Sequence, residues 1–356
     1  MVIDALRGLC DTSLRSLEGP EDQALQSPIV YVTNYTHNTM LAILGASGKL
    51  GFATLSSLLS EDLLHPSSIV CTTSATDPSD SRWQKLAAKD VHVRHASFDD
   101  APEIIQAALK GCTKLFLVSS PRVPRDFNDA PPGTGREHDH IVAIDAAIAA
   151  GIKHIYYTSL AFADNSRSGV MVAHLRTEAY LKQLAATDLG FKYTIIREGL
   201  YNESWPLYFG HYEFREGDSR EEVLVGGDSP ISWTSIPDLG LANALVLAAP
   251  EDKYAGKTLY LSNTREPRSL ADIASLVSKA RGKEVRVRVV SREEHERFYI
   301  QERKMSKELV QWWAKTYDAL RDSECKIEDT TLEDLLKARG KEPKRIEETV
   351  REMLGK

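Results

Sequence analysis

Gly45, Gly48 and Gly51 stand three apart in Met40-Leu-Ala-Ile-Leu-Gly45-Ala46-Ser47-Gly48-Lys49-Leu50-Gly51, between an apolar run and the amphipathic segment 52–60. A strand that enters a helix through glycines makes a cradle for phosphate. The first helical turn presents unpaired N–H groups and the positive end of the helix dipole. Gly45 lets the chain turn off the strand, Gly48 lets the backbone approach a pyrophosphate, and Gly51 lets helix and sheet pack closely. The spacing is not the usual Gly-x-Gly-x-x-Gly fingerprint. A structural tight turn is the alternative, but the seat between strand and helix favours dinucleotide binding. Further on, Ser159 follows the apolar run His154–Thr158, and His174 and Glu178 stand four apart on a helical stretch, so they share a face. One reading makes His174 a proton donor poised by Glu178. The other makes the two a polar pair that holds the helix or a water.

The elements that must position these groups alternate strand and helix from Met40 onward. Strands are expected at 40–44, 68–73, 91–95, 114–118, 154–158 and 192–197. Helices are expected near 49–60, 81–88, 101–110, 140–150 and 172–186, with Gly151 as a left-handed cap. Strands this continuously apolar have both faces covered, so the fold class is α/β, a doubly wound parallel Rossmann sheet. Residues 200–235 are loop-rich and aromatic, suited either to a flat substrate or to ordinary packing. Further on, a helix is expected at 238–248, strands at 258–261 and 285–289, and amphipathic helices at 331–337 and 346–354. The expected domains are an N-terminal extension 1–39, a Rossmann domain 40–265 to whose substrate side 200–235 contributes, and a smaller, mostly helical C-terminal substrate domain 266–356.

Composition narrows the class. The chain has 356 residues, 42% hydrophobic and 27% charged, with net charge −7. That balance argues against nonspecific nucleic-acid binding, which needs a basic face. No apolar run approaches the roughly 20 residues that span a bilayer. The four cysteines are scattered, which suggests free thiols in a reducing compartment, and the N-terminal residues do not resemble a signal peptide. The cytoplasm is expected. His138-Asp-His140 and Glu293-Glu-His-Glu296 read as solvated helix faces rather than metal ligands.

An NAD site places a carboxylate about 20 residues past the glycines, on the ribose hydroxyl. Here that stretch reads Cys71-Thr72-Thr73-Ser74, with no acid, and Arg82 and Lys85 are the nearest cations. NADP is expected over NAD, with Thr72 among the residues that receive it. Asp99 follows the third strand, where it would lie near the adenine or cap the next helix. Ser119 and Ser120 end the fourth strand, on the side where Rossmann ligands bind.

A standard short-chain dehydrogenase carries Tyr-x-x-x-Lys on the helix after Ser159; here Tyr180 and Lys182 are two apart and the motif is missing. The segments 45–51, 117–121, 146–159, 174–178 and 193–201 together resemble the NmrA-like branch of atypical short-chain dehydrogenase/reductases, above all its quinone oxidoreductase and triphenylmethane reductase members. The resemblance covers about residues 40–265. It implies NADP(H) in the cleft, with Gly45, Ser47, Gly48, Lys49, Leu50 and Gly51 around the pyrophosphate. It further implies Ser119, Ser120, Thr158 and Ser159 along the nicotinamide half and Tyr201 in the loop that closes over it. The arginine that relatives often carry just after strand two is absent from 72–75.

Two functions compete. One is an NADPH-dependent reductase of a quinone-like or other conjugated carbonyl, in which positioning supplies most of the catalysis and His174, Glu178 and Ser159 are the catalytic candidates. The other is a non-catalytic NADP(H) sensor acting through a protein partner.

Overall fold

The computed structural model describes residues 40–75, 80–215 and 217–355. The N-terminal extension, with its β-prone run Ile29–Val32 and Cys10, lies outside the described residues, and residues 40–356 form a contact-linked unit of their own. In chain order the elements are β1 (Leu41–Leu44), α1 (Lys49–Ser60), β2 (Ile69–Thr73), α2 (Ser81–Ala87), β3 (His92–His95), α3 (Pro102–Leu109) and β4 (Lys114–Leu117). There follow α4 (Arg136–Ala149), β5 (His154–Leu160), α5 (Gly169–Thr187), β6 (Lys192–Glu198), α6 (Ile236–Ala248) and β7 (Lys257–Leu261). The remaining long helices are α7 (Leu270–Arg281), α8 (Lys307–Arg321), α9 (Thr331–Lys337) and α10 (Ile346–Met353).

All seven strands run parallel, in the order β3-β2-β1-β4-β5-β6-β7. The central strands β1, β2 and β4 are almost wholly buried because each sheet face carries a helical layer, whereas the edge strand β3 (His92-Val-Arg-His95) is polar and partly exposed. Leu41 and Ile43 point to one face, with Leu55 and Leu58 of α1, Leu239 and Ala242 of α6, and Leu332 of α9. Ala42 and Leu44 point to the other, with Ile105 of α3, Ala143 and Ile144 of α4, and Leu181 of α5. The period of two along β1 thus decides which layer each side chain enters.

α4 begins four residues before the expected start. The Asp126 carboxylate, brought in from the preceding loop, accepts the Arg136 N–H at 2.7 Å and caps the first turn. That cap is tertiary, so no local signal announces it. At the far end Gly151 takes a φ of +97°, the left-handed position its sequence suggested.

Beyond β6, two short parallel pairs join Leu200–Tyr201 to Trp233–Thr234, and Glu222–Val225 to Arg286–Val289. The aromatic run after Tyr201 packs on itself. Trp205 and Phe209 are fully buried, with ring centroids 5.9 Å apart, and Tyr212 lies 5.8 Å from Trp205. It is core. Cys71, Cys112 and Cys325 are free, buried thiols, and no described helix is long and apolar enough to cross a membrane.

Candidate active site

β1 has β2 on one side and β4 on the other, and the chain leaves the two in opposite directions. That reversal opens a crevice at the carboxyl ends of the strands, and the glycine turn lies in it. Gly45 adopts a φ of +95°, and a Cβ there would lie 2.9 Å from Val118 Cβ at the end of β4. A Cβ on Gly51 would lie 2.3 Å from the Gly45 carbonyl oxygen. Gly48 closes the turn by donating its N–H to Gly45 O at 3.1 Å and serves as the N-cap of α1. No side chain caps this twelve-residue helix and no acid occupies its first turn. The N–H groups of Leu50 and Gly51, in that first turn, therefore suit an anion. Ala46 and Leu50 are buried anchors beneath them, while Ser47 is exposed.

At the end of β2 the hydroxyls divide. Thr72 is buried and donates to Ile43 O at 3.3 Å; Thr73 accepts the Ala75 N–H at 3.1 Å; Ser74 is exposed. The Thr72 hydroxyl is thereby spent inside the sheet. α2 carries the guanidinium of Arg82, whose Cζ lies 5.3 Å from the Phe52 ring of α1 and 4.6 Å from Trp83. Asp80 pairs with its Nη2 at 3.2 Å, and its buried Nε has no partner among the described residues. Asp99 is exposed and bonded to Arg122; the helix after it is capped at Ala101, so Asp99 is no N-cap.

The ends of β4 and β5 bring Ser119, Ser120 and Thr158 together. Ser119 donates its N–H to Thr158 Oγ1 at 2.9 Å. Ser120 donates its N–H to His140 Nε2 and its hydroxyl to Asp139, both at 2.9 Å. Asp139 also receives Arg122 Nε at 2.8 Å and Arg125 Nη1 at 2.9 Å. Because His140 Nε2 accepts, its hydrogen sits on Nδ1, where Thr177 Oγ1 lies at 2.9 Å and the Tyr157 hydroxyl at 3.2 Å. The Tyr157 hydroxyl is in turn hydrogen-bonded with His174 Nδ1 at 2.8 Å. A buried chain runs Ser120–His140–Tyr157–His174.

That chain corrects two expectations. Asp139 and His140 are no solvated helix start: they are 3% and 0% exposed. His140 is in helical phase with the buried Ala143, Ile144 and Ala147, a signal the sequence did contain. His295 is likewise buried rather than solvated. The expected His174–Glu178 pair also does not form: no hydrogen bond joins the two. Glu178 accepts Ser159 Oγ at 2.7 Å and Arg197 Nε and Nη2 at 3.0 and 2.8 Å. Shared helical phase brought the two residues to one face, and the stronger partners on β5 and β6 then claimed the carboxylate. Burial, with the Arg136 charge nearby, pushes both His140 and His174 well below the ordinary histidine value. His174 is therefore a neutral, enclosed imidazole, not a cationic proton donor.

Tyr201 is half-buried, its phenol pushed up by burial and by the neighbouring Glu198 and Glu203. Glu198, at the end of β6, was not foreseen as a site residue. Its Oε1 accepts Asn243 Nδ2 at 2.9 Å, its Oε2 has no partner among the described residues, and burial pushes its carboxyl well above the usual range. A lone acid ending a buried strand was the available signal.

The sheet order, the reversal at β1 and the glycine turn define a protein of the doubly wound Rossmann class. Residues 37–348 match the NmrA-like family, and the chain belongs to it. Among similar proteins, quinone oxidoreductase 2 of Escherichia coli (strain K12) is 33% identical over 250 residues, covering 69% of this chain and 76% of that protein. The crystal structure of an NADPH-dependent quinone oxidoreductase from Escherichia coli, complexed with NADPH, matches with a TM-score of 0.68 and 28% identity. It covers 88% of this chain and 99% of that one. Triphenylmethane reductase of Citrobacter sp., complexed with NADP(H), matches with a TM-score of 0.67, 26% identity and the same coverages.

Proposed function

We propose that this chain is an NADPH-dependent reductase of a quinone-like or other conjugated carbonyl compound. One observation carries the reading: an uncapped helix N-terminus behind a turn that admits no Cβ at Gly45 or Gly51, in a chain 33% identical to a quinone oxidoreductase. The donors suit the cofactor. The first turn of α1 faces the pyrophosphate, and Ser74 and Arg82 supply a hydroxyl and a cation for a 2′-phosphate. Ser119, Thr158 and Tyr201 border the nicotinamide half. Bound there, NADPH supplies the hydride. The α-rich segment 266–356 belongs, on this reading, to the substrate side.

Ser159, His174 and Glu178 are positioning residues in this scheme. All three are buried and committed to hydrogen bonds, so they fix the ends of β4 and β5 rather than deliver a proton. A quinone or dye asks chiefly for alignment with the hydride donor, and solvent can protonate the product. The same commitment favours a second reading, an NADP(H)-binding sensor without turnover.

Fluorescence titration with NADPH and with NADH, followed by a quinone in the same cuvette, separates the two. Decay of the NADPH signal only when protein and quinone are both present supports the reductase. Tight binding with a persistent signal across several acceptors supports the sensor, and failure to bind either dinucleotide overturns both. Arg82→Ala is expected to weaken NADPH about tenfold while leaving NADH within twofold, as loss of one charge-assisted contact implies.

A further inference from the structure

α5 has two working faces. His174, Thr177, Glu178 and Leu181 are buried toward the sheet. Gly169, Val172 and Arg176 instead wall a cleft of about 170 Å³, whose other side is Trp312 of α8 and the loop carrying Asp126 and Asp129. One donor here stands without an acceptor. Trp312 is 6% exposed, and its Nε1 is buried without a partner among the described residues. Its indole edge lies against Gly169, where a Cβ would sit 3.1 Å from Nε1. The first turn of the nineteen-residue α5 lacks a side-chain cap, because the Ser168 hydroxyl is engaged with Thr316 Oγ1 at 3.1 Å. Among the described residues Arg176 spends only Nη1, on Ala130 O at 3.0 Å and Glu137 Oε1 at 2.8 Å.

The acids of the cleft are already neutralised. Asp126 is held by Arg136 Nε at 2.6 Å, and Asp129 is paired with Lys315. Apolar surface comes from the half-exposed Val172 and from Trp312, against which Phe127 packs with ring centroids 5.6 Å apart. An indole N–H, a guanidinium edge and an open helix N-terminus beside an apolar wall ask for an anion on a flat body.

We propose that this cleft binds a small aromatic carboxylate, at a place separate from the glycine cradle. The carboxylate sits between Arg176 and the first turn of α5, and the ring lies along Trp312 and Val172. Arg136 connects the cleft to the reduction site: besides Asp126 it holds Val170 O at 2.9 Å and Ser120 O at 3.1 Å. An occupant that shifts Asp126 or the first turn of α5 therefore acts on the main chain at Ser120. Binding itself is independent of the reductase reading; only this coupling rests on it.

Calorimetric titration of the full chain with benzoate, benzamide and inorganic phosphate tests the site. Benzoate is expected to bind about tenfold or more tightly than either of the other two, the factor that a charge-assisted contact supplies. Arg176→Gln should lower benzoate affinity about tenfold and Trp312→Phe several-fold, with NADPH affinity within twofold in both. Because Arg176 also ties the loop at Ala130, Arg176→Lys is the companion variant: it keeps the charge and should recover part of the loss. Equal binding of benzoate and benzamide overturns the proposal, as does phosphate binding as well as benzoate, an unchanged affinity in Arg176→Gln, or displacement of benzoate by NADPH. If NADPH does not bind at all, the reductase reading fails while the benzoate result stands.

Discussion

At the scale of single residues, the three glycines of the turn do different work, and substitution separates them. A methyl group on Gly51 meets the Gly45 carbonyl oxygen at 2.3 Å and its carbon at 2.9 Å. Both are backbone atoms that no rotamer change can clear. Gly51→Ala should cost roughly 1–3 kcal/mol in stability, the range of overpacked sites, and abolish NADPH binding because α1 must move. On Gly48 the nearest atom is the same oxygen at 3.4 Å, an ordinary contact. Gly48→Ala should therefore leave stability within about 1 kcal/mol, the usual scale of an N-cap exchange. It should still weaken NADPH strongly, since the methyl group points where a pyrophosphate must approach. Urea unfolding beside a fluorescence titration gives both quantities. Wild-type NADPH affinity in Gly48→Ala would remove the pyrophosphate from this turn.

At the scale of elements, β5, α5 and β6 are joined through one buried knot. Arg197 and Glu178 are 2% and 3% exposed in their side chains and meet at 2.8 Å, with Ser159 Oγ on the same carboxylate. Glu178→Ala leaves the guanidinium with only Asp164, Tyr260 and a main-chain carbonyl. Removing one partner of a buried pair costs about 3–5 kcal/mol, whereas replacing both with apolar residues is often nearly neutral. Glu178→Leu/Arg197→Met should thus regain most of the stability that Glu178→Ala loses in urea unfolding. Equal losses would show that the pair does not tie the strands. The strands and most helices of this core were legible because their signals are local: continuous apolar runs, a helical period, Gly151 at a helix end. The knot was not. Sequence places His174 and Glu178 on one face, but the competition for the carboxylate is decided by Arg197, which joins it only when β6 is laid beside β5. The early start of α4 was hidden for the same reason, its cap being the distant Asp126.

At the scale of the whole molecule, the interior holds imidazoles that resist protonation. Burial pushes His154 and His295 down to about 4, and His140 and His174 well below 6.5. Below the ordinary histidine value the unfolded chain takes up protons that the folded chain refuses. Stability then falls as pH drops from about 6.5 toward 4, and it is fully present above that window. For His154 and His295 the fall from 6.5 to about 4 corresponds to on the order of 3 kcal/mol each by pH 4. Glu198 works in the opposite sense: its raised carboxyl favours the folded state at low pH and loses that contribution as pH rises through its folded value. His211, pushed down to about 3 by burial, acts with the other four imidazoles, and acids held low by ion pairs, such as Asp218 and Glu251, add to their sense; the raised carboxyls of Glu203, Asp228 and Asp238 join Glu198 against them. The histidines titrate across the higher window, so the melting temperature should drop between pH 7 and pH 4.5. His295 offers the cleanest check, because neither ring nitrogen has a partner among the described residues and its ring lies 4.6 Å from Tyr299 and 4.8 Å from Tyr317. His295→Phe keeps an aromatic of similar size in that nest and removes the titrating group. It should raise the melting temperature at pH 5 more than at pH 7.5 and flatten the slope between them. A variant that melts with the wild-type slope would show that this buried imidazole is not a source of the acid sensitivity.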